Sequence, residues 1–201
     1  MIQWVREGQE PVSLVPKRGP MPLAMTQDRP FTELAGRIFM PDAMGEKVYA
    51  FKDGKAETWL TLDFGRFTVG EEFFSGDVEA AFRILSTRYA QIGAYWENNR
   101  MRVVSVVRVE KKEDSDPLPV REFVYGVFLH GRWNWVNAGD YGETPFAYSF
   151  SGLEDDALVC LLDPALLGDL DPDLRAKVSN PEVLEALDED SNYVIAKLRL
   201  K

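Results

Sequence analysis

The sequence predicts an α+β fold: an antiparallel β-sheet of about five to seven strands carrying one long packed helix, with short C-terminal helices and an extended N-terminal arm. Three observations predict it. First, apolar residues recur at helical spacing near the middle of the chain. Second, segments that alternate between apolar and polar residues lie on either side of it and are joined by two-residue turns. Third, prolines recur near both ends of the chain. With 201 residues and 45% hydrophobic content, the chain can bury the core of one domain.

The first 35 residues predict an extended arm. Proline fixes φ, lacks a donor N–H and forces its predecessor into extended backbone, so no helix or central strand can run through a proline-rich stretch. The prolines of the arm are Pro11, Pro16, Pro20, Pro22 and Pro30. We therefore expect the arm at 1–35 and a single α+β domain at 36–201.

The long helix is predicted over residues 77–92. Its apolar residues follow the one-face spacing of an amphipathic helix, at Val78, Ala81, Phe82, Leu85, Tyr89 and Ile92. Ser75 or Asp77 can accept hydrogen bonds from the first backbone N–H groups. We expect this helix to lie on the sheet.

Two hairpins frame the predicted sheet. Asp53-Gly54 and His130-Gly131 are pairs that tolerate the positive φ values of a type I′ turn. Residues 100–111 predict a further strand between them. A two-residue loop at His130-Gly131 fixes the register of 120–129 on 132–137, with Leu129 facing Arg132.

The second hairpin is apolar on both faces, so it needs two covers. In the predicted register Trp133 faces Phe128 and Trp135 faces Gly126, where its ring can lie over the bare glycine. The predicted helix can cover one face. The face of Trp133 and Trp135 needs the arm, a second sheet, a ligand or a partner. A helix followed by long hairpins resembles, in element order, curved-sheet folds such as the cystatin-like and NTF2-like groups.

All of the net charge of −10 lies in residues 151–192, which hold twelve acids against Arg175 and Lys177. The acids are Glu154, Asp155, Asp156, Asp163, Asp169, Asp171, Asp173, Glu182, Glu185, Asp188, Glu189 and Asp190. Proline follows an N-cap residue at Asp163-Pro164, Asp171-Pro172 and Asn180-Pro181, so this acidic segment is predicted to form short helices. Residues 193–201 alternate in polarity and predict a closing strand.

The composition of the chain argues against several classes of function. One histidine and one cysteine cannot build a Cys/His zinc site, and no phosphate-binding glycine motif is present, so we expect no cofactor and no metal. A pI near 4.7 disfavours nucleic acid as a partner. Cys160 lies in an apolar run and predicts a buried, inert thiol. With no long apolar run and no disulfide, we expect a cytoplasmic protein without a membrane partner.

These observations predict a non-catalytic protein-binding role, as an assembly component or an inhibitor or immunity-type protein. The partner is expected to present a basic surface to the acidic C-terminal region, and a homo-oligomer is a further alternative. The predicted partner-binding residues are Asp155, Asp156, Asp188, Glu189, Asp190, Trp133 and Trp135.

The alternative is a small-ligand-binding protein or a carboxylate-based hydrolytic enzyme, with a pocket in a curved sheet. Its weak catalytic candidates are Asp140, Tyr141 and His130. The acids near predicted strand ends are Asp63, Glu71, Glu72, Asp140 and Glu143.

Overall fold

The computed structural model describes residues 2–5, 7–8, 10–15, 18–20, 31–113, 118–137, 150–162, 164, 172–188 and 191–199. Its strands are β1 (Ile2–Trp4), β2 (Val12–Val15), β3 (Thr32–Leu34), β4 (Arg37–Pro41), β5 (Lys47–Lys52), β6 (Lys55–Thr61), β7 (Arg88–Glu97), β8 (Arg102–Glu110), β9 (Val120–Leu129), β10 (Arg132–Asn137), β11 (Phe150–Glu154), β12 (Ala157–Leu162) and β13 (Val194–Arg199). Its helices are α1 (Val78–Thr87), α2 (Pro172–Arg175) and α3 (Pro181–Glu185), with 3-10 turns at Gly65–Phe67 and Glu71–Phe74. The described chain is predominantly β, so the predicted α+β fold with one long helix is wrong.

The strands of the described residues form antiparallel sheets. β1 pairs with β2. We call β3–β4–β5–β6 sheet I, β10–β9–β8–β7 sheet II and β11–β12–β13 sheet III. The predicted single sheet of five to seven strands is therefore replaced by several smaller sheets.

Sheet II lies between two layers. Val104 of β8 packs with Phe39 and Val48 of sheet I, whereas its neighbour Val103 packs with Leu158 of sheet III. Both valines are fully buried. Because successive side chains of a strand point to opposite faces, β8 contributes to two separate interiors.

Helix α1 ends earlier than the sequence predicts. It stops at Thr87, and Arg88 begins strand β7. Tyr89 and Ile92 lie on that strand, with Tyr89 packed beside α1 and Ile92 packed against sheet I. A strand that is buried on both faces accepts apolar residues at any spacing. The apolar residues at the start of β7 therefore also fit the spacing of an amphipathic helix.

The start of α1 agrees with the prediction, but its inward face differs. Asp77 is the N-cap, and its carboxylate accepts hydrogen bonds from the backbone N–H groups of Glu79 and Ala80. Ala81 is fully buried against sheet II, whereas Phe82, predicted to face the core, is 56% exposed.

The two predicted hairpin turns are confirmed. Asp53 and Gly54 have φ values of 49° and 73°, and His130 and Gly131 have 52° and 80°. Positive φ at both central residues is what a type I′ turn requires. The pairs join β5 to β6 and β9 to β10, so they set the register of one hairpin in each of sheets I and II.

The acidic segment 151–192 begins with strands, where short helices were predicted. Asp155 and Asp156 form the turn between β11 and β12, and β12 also pairs with β13, the strand predicted near the C-terminus. The run from Ala157 to Leu162 is thus a central strand. Periodicity alone cannot distinguish such a short apolar run from a buried helix. Helices α2 and α3 do begin at Pro172 and Pro181, as the proline positions predict.

Part of the predicted arm is held against the body of the protein. The guanidinium of Arg18 lies 4.2 Å from the ring centroid of Phe74 and pairs with the Glu71 carboxylate at 3.2 Å. A Cβ on Gly19 would lie 2.1 Å from the carbonyl oxygen of Phe74, so only glycine fits there.

Candidate binding cleft

The hairpin of β9 and β10 positions two tryptophans on the face of sheet II that meets sheet I. Its predicted register is confirmed, with Trp133 opposite Phe128 and Trp135 opposite Gly126. The Trp133 and Trp135 rings are stacked, with centroids 5.7 Å apart and an interplanar angle of 22°. Trp133 packs partly buried against the core, whereas Trp135 remains 50% exposed.

Trp135 borders a cavity of about 270 Å³ between sheet II and the chain that follows β6. We call it the Trp135 cleft. Its lining is Leu62, Asp63, Phe64, Phe67, Ala90, Val106, Arg108, Val124 and Trp135. Leu62, Phe67, Ala90 and Val106 are also core residues, so the floor of the cleft is the hydrophobic core itself.

The arginine of the cleft is already neutralised. Arg108 donates from Nε to Oε2 of Glu122 at 2.7 Å, and its Nη2 donates to the same oxygen. The guanidinium also lies 5.2 Å from the ring centroid of Phe67. Cross-strand pairing of β8 with β9 places Arg108 beside Glu122, so this pair follows from the register.

The carboxylate of the cleft, Asp63, is not neutralised by any of the described residues. Asp63 is exposed, and its Oδ1 accepts a hydrogen bond from the backbone N–H of Gly65 at 2.8 Å. Among the described residues, no lysine or arginine lies within ion-pair distance of Asp63. Once the Arg108–Glu122 pair is counted as neutral, the lining of the cleft carries one net negative charge.

A partly buried polar network crosses the interface between sheets I and II. Glu97 Oε2 accepts from Trp59 Nε1 at 2.7 Å and from the Tyr95 hydroxyl at 2.5 Å, and its Oε1 accepts from Arg102 Nε at 3.2 Å. Burial raises the pKa of Tyr95 far above its ordinary value, and the hydrogen bond to Glu97 and the charge of that carboxylate raise it further. Because both carboxylate oxygens are engaged, this network joins the two sheets and offers no free group for chemistry.

Of the acidic residues predicted to dock a partner, the three that the structure describes lie in two separate places. Asp155 and Asp156 are exposed at the turn before β12, whereas Asp188 follows α3, whose end packs through Leu187 near Leu162 at the other end of that strand. A six-residue strand spans about 20 Å. Glu189 and Asp190 lie outside the described residues.

The catalytic candidates and strand-end acids that the structure describes lie in separate places. His130 is exposed at the hairpin tip. Glu71 pairs with Arg18 and Glu72 with Arg83, each on the side of α1. Asp140, Tyr141 and Glu143 lie outside the described residues.

Cys160 is fully buried, and burial raises the pKa of its thiol to about 12. A thiol with so high a pKa is not a nucleophile at neutral pH. In the described part of the chain, no three His, Cys, Asp or Glu side chains are grouped so as to hold a metal ion. None of the described helices is long and apolar enough to cross a bilayer.

Sequence reasoning identified Trp135 but missed the other wall of the cleft. Asp63 was named only as an acid at a strand end, and Phe64, Phe67 and Arg108 were not named as site residues. The local signal in 63–67 is Gly65, whose φ of 54° allows the chain to turn back after β6. Nothing local indicates that this turn faces Trp135.

Comparisons with protein-family models, curated proteins and solved structures found none that matches this chain. The geometry and charge of the Trp135 cleft are therefore the features from which its function is inferred.

Proposed function

We propose that this protein is a non-catalytic binding module that docks a basic protein partner at the Trp135 cleft. The observation that carries the proposal is the half-exposed indole of Trp135 at a cavity whose floor is the core. Binding energy at protein interfaces concentrates on aromatic anchors that become desolvated in well-packed pockets. An exposed tryptophan beside a concave apolar surface is the kind of feature that such an interface uses.

The size of the cleft favours a side-chain anchor over a whole small molecule. Small-molecule sites commonly occupy about 300–1,000 Å³, and this cavity is about 270 Å³. It is large enough for one side chain inserted by a partner. We therefore prefer a protein partner to a free metabolite.

The acidic composition supports the choice of a basic partner. The chain carries a net charge of −10, which attracts cationic surfaces and accelerates their encounter. Because Asp155 and Asp188 lie at opposite ends of sheet III, we assign the acidic residues to long-range steering and the cleft to docking. Such a module is proposed to act in the cytoplasm, where its single buried thiol stays reduced.

A hydrolytic function is the weaker reading of the same cavity. General acid–base catalysis by carboxylates requires two acids in different environments. Of the described residues that line the cleft, only Asp63 carries a carboxylate. Binding requires no second acid.

The proposal is tested by selecting a displayed random-peptide library on the purified full-length protein. We expect enrichment of peptides that carry basic residues and whose affinity falls as salt is raised. Trp135→Ala should lower their affinity at least tenfold, because it removes the anchor surface. Phe82→Ala is the matched control, since Phe82 is an equally exposed aromatic residue on α1, and it should leave binding unchanged. Enriched peptides that bind Trp135→Ala as well as wild type would refute docking at the cleft.

A further inference from the structure

We infer that the Trp135 cleft receives one lysine side chain of the partner, with the ammonium group held between Asp63 and Trp135. This inference rests on the proposed function, because it names the chemistry of the anchor that the cleft would bind. Its support comes from the distribution of apolar and charged groups around the cavity.

The apolar lining suits the stem of a lysine. Phe64, Phe67 and Val124 present ring and methyl surfaces to the cavity. A lysine has four methylene groups, which gain hydrophobic stabilisation when they pack along such surfaces while the charged end stays near water. The open mouth of the cleft provides that water.

The charged lining suits a cation. Asp63 is a carboxylate without an ion-pair partner among the described residues, and it lines the same cavity as the aromatic residues. The indole of Trp135 attracts cations through its ring quadrupole, most strongly among the aromatic side chains. A carboxylate and an indole at one cavity are therefore complementary to an ammonium group.

Arg108 does not oppose this assignment. Its guanidinium donates twice to Glu122, so the pair contributes little net charge to the cavity. An anionic ligand at Arg108 would have to share the guanidinium with the Glu122 carboxylate, and the carboxylates of Glu122 and Asp63 would repel the anion.

The geometry of Asp63 favours lysine over arginine. Its Oδ1 already accepts the backbone N–H of Gly65. The ion pair of arginine is strongest when the carboxylate offers both oxygens to the planar guanidinium. The lysine ammonium is a compact point charge that needs one acceptor. Oδ2 remains as that acceptor.

The test compares three small probes by NMR of the full-length protein: the N-acetyl methylamides of lysine, norleucine and arginine. Norleucine keeps the apolar stem and lacks the ammonium group. We expect the lysine probe to shift the methyl resonances of Val106 and Val124, which line the cleft. It should bind about tenfold more tightly than norleucine, from one screened ion pair and one cation–π contact, and at least as tightly as arginine.

Two variants then test whether Asp63 causes the preference for lysine over norleucine. Asp63→Asn keeps the Oδ1 acceptor for Gly65 and removes the charge, so it should abolish most of the lysine preference without unfolding the loop. Asp155→Asn, a charge-matched change at the exposed turn of sheet III, should leave the preference intact. Equal binding of lysine and norleucine to the wild type would overturn the inference, as would an unchanged preference in Asp63→Asn or tighter binding of arginine.

The two proposals can fail separately. If selected peptides depend on Trp135 but the probes show no lysine preference, the binding module stands and the lysine anchor is wrong. If the lysine probe enters the cleft but no peptide is enriched, the cation site stands and the docking function is wrong.

Discussion

The indole of Trp135 lies directly over Gly126 on the neighbouring strand. A Cβ at residue 126 would lie 2.7 Å from Cζ3 of that ring and 2.8 Å from Cη2. Real Cβ atoms do not approach so closely, so the glycine makes room for the tryptophan. The position of the ring at the cleft thus depends on a missing side chain across the strand pair.

Gly126→Ala should displace the Trp135 ring and weaken peptide binding about tenfold. Because the half-exposed ring can move towards the cleft, the same substitution should cost only about 1 kcal/mol of the free energy of unfolding, which urea denaturation would measure. Gly152→Ala is the control, because Gly152 also lies in a strand and a Cβ there meets no atom within 4 Å. Equal binding by the two variants would show that the ring position does not matter.

Removal of the Glu97 carboxylate should destabilise the fold. Glu97→Ala removes the acceptor of the Tyr95 hydroxyl, one of the two acceptors of Trp59 Nε1 and the counter-ion of Arg102, and we expect a loss of about 2 kcal/mol. Glu57→Ala provides the comparison, because Glu57 pairs with Arg37 at 3.8 Å on the surface. Exposed pairs contribute about 0.5 kcal/mol. Similar losses from the two substitutions would contradict a shared network between the sheets.

Asp42 should make the protein less stable as pH rises through the acidic range. Burial raises the pKa of its carboxyl above the ordinary aspartate value, and the nearby Arg18 only partly offsets this. A raised pKa means that the native state holds the proton more tightly than the unfolded chain, so the stabilising contribution is present at low pH and lost as Asp42 ionises.

Asp42→Asn keeps the shape of the side chain and cannot ionise. We expect its free energy of unfolding, relative to wild type, to increase between the ordinary aspartate pKa and neutral pH. Chemical denaturation at a series of pH values measures this difference. A difference for Asp42→Asn that falls with rising pH would refute the sign of the shift.

Cys160 should resist thiol reagents until the protein unfolds. It is fully buried in the centre of sheet III, and its pKa is raised to about 12. Because the thiolate is the reactive form, labelling by a disulfide reagent at pH 8 should be slow in buffer and complete in urea. A Cys160→Ser protein with Thr58→Cys on the exposed side of β6 should label at once. Equally rapid labelling of native Cys160 would indicate that sheet III opens readily.

Local features of the fold were predictable because they depend on adjacent residues. Asp53-Gly54 and His130-Gly131 have the backbone freedom that their turns need, and a two-residue loop leaves only one register for β9 and β10. The strand β8 is also predicted to within two residues, because it is rich in valine, which favours strands.

Other features depend on which surfaces pack together in the fold, and no local sequence pattern indicates that packing. The positions of Tyr89 and Ile92 are compatible with one face of a helix. They are equally compatible with the two faces of a strand that is buried on both sides, as the structure has them. Asp155-Asp156 lacks glycine, so it gave no signal of a turn between strands. The Trp135 cleft joins Asp63 to a residue more than seventy positions away, and no local pattern encodes that approach.

The two-sided burial of β8 has a consequence for how this chain tolerates change. Val103 and Val104 belong to different interiors, so one inserted residue within β8 would exchange the side chains that each interior receives over the part of the strand on one side of the insertion. According to which part is shifted, Arg102 would be directed away from Glu97 or Arg108 away from Glu122. An inserted tag or reporter domain should therefore be tolerated better at the exposed hairpin tips than within β8.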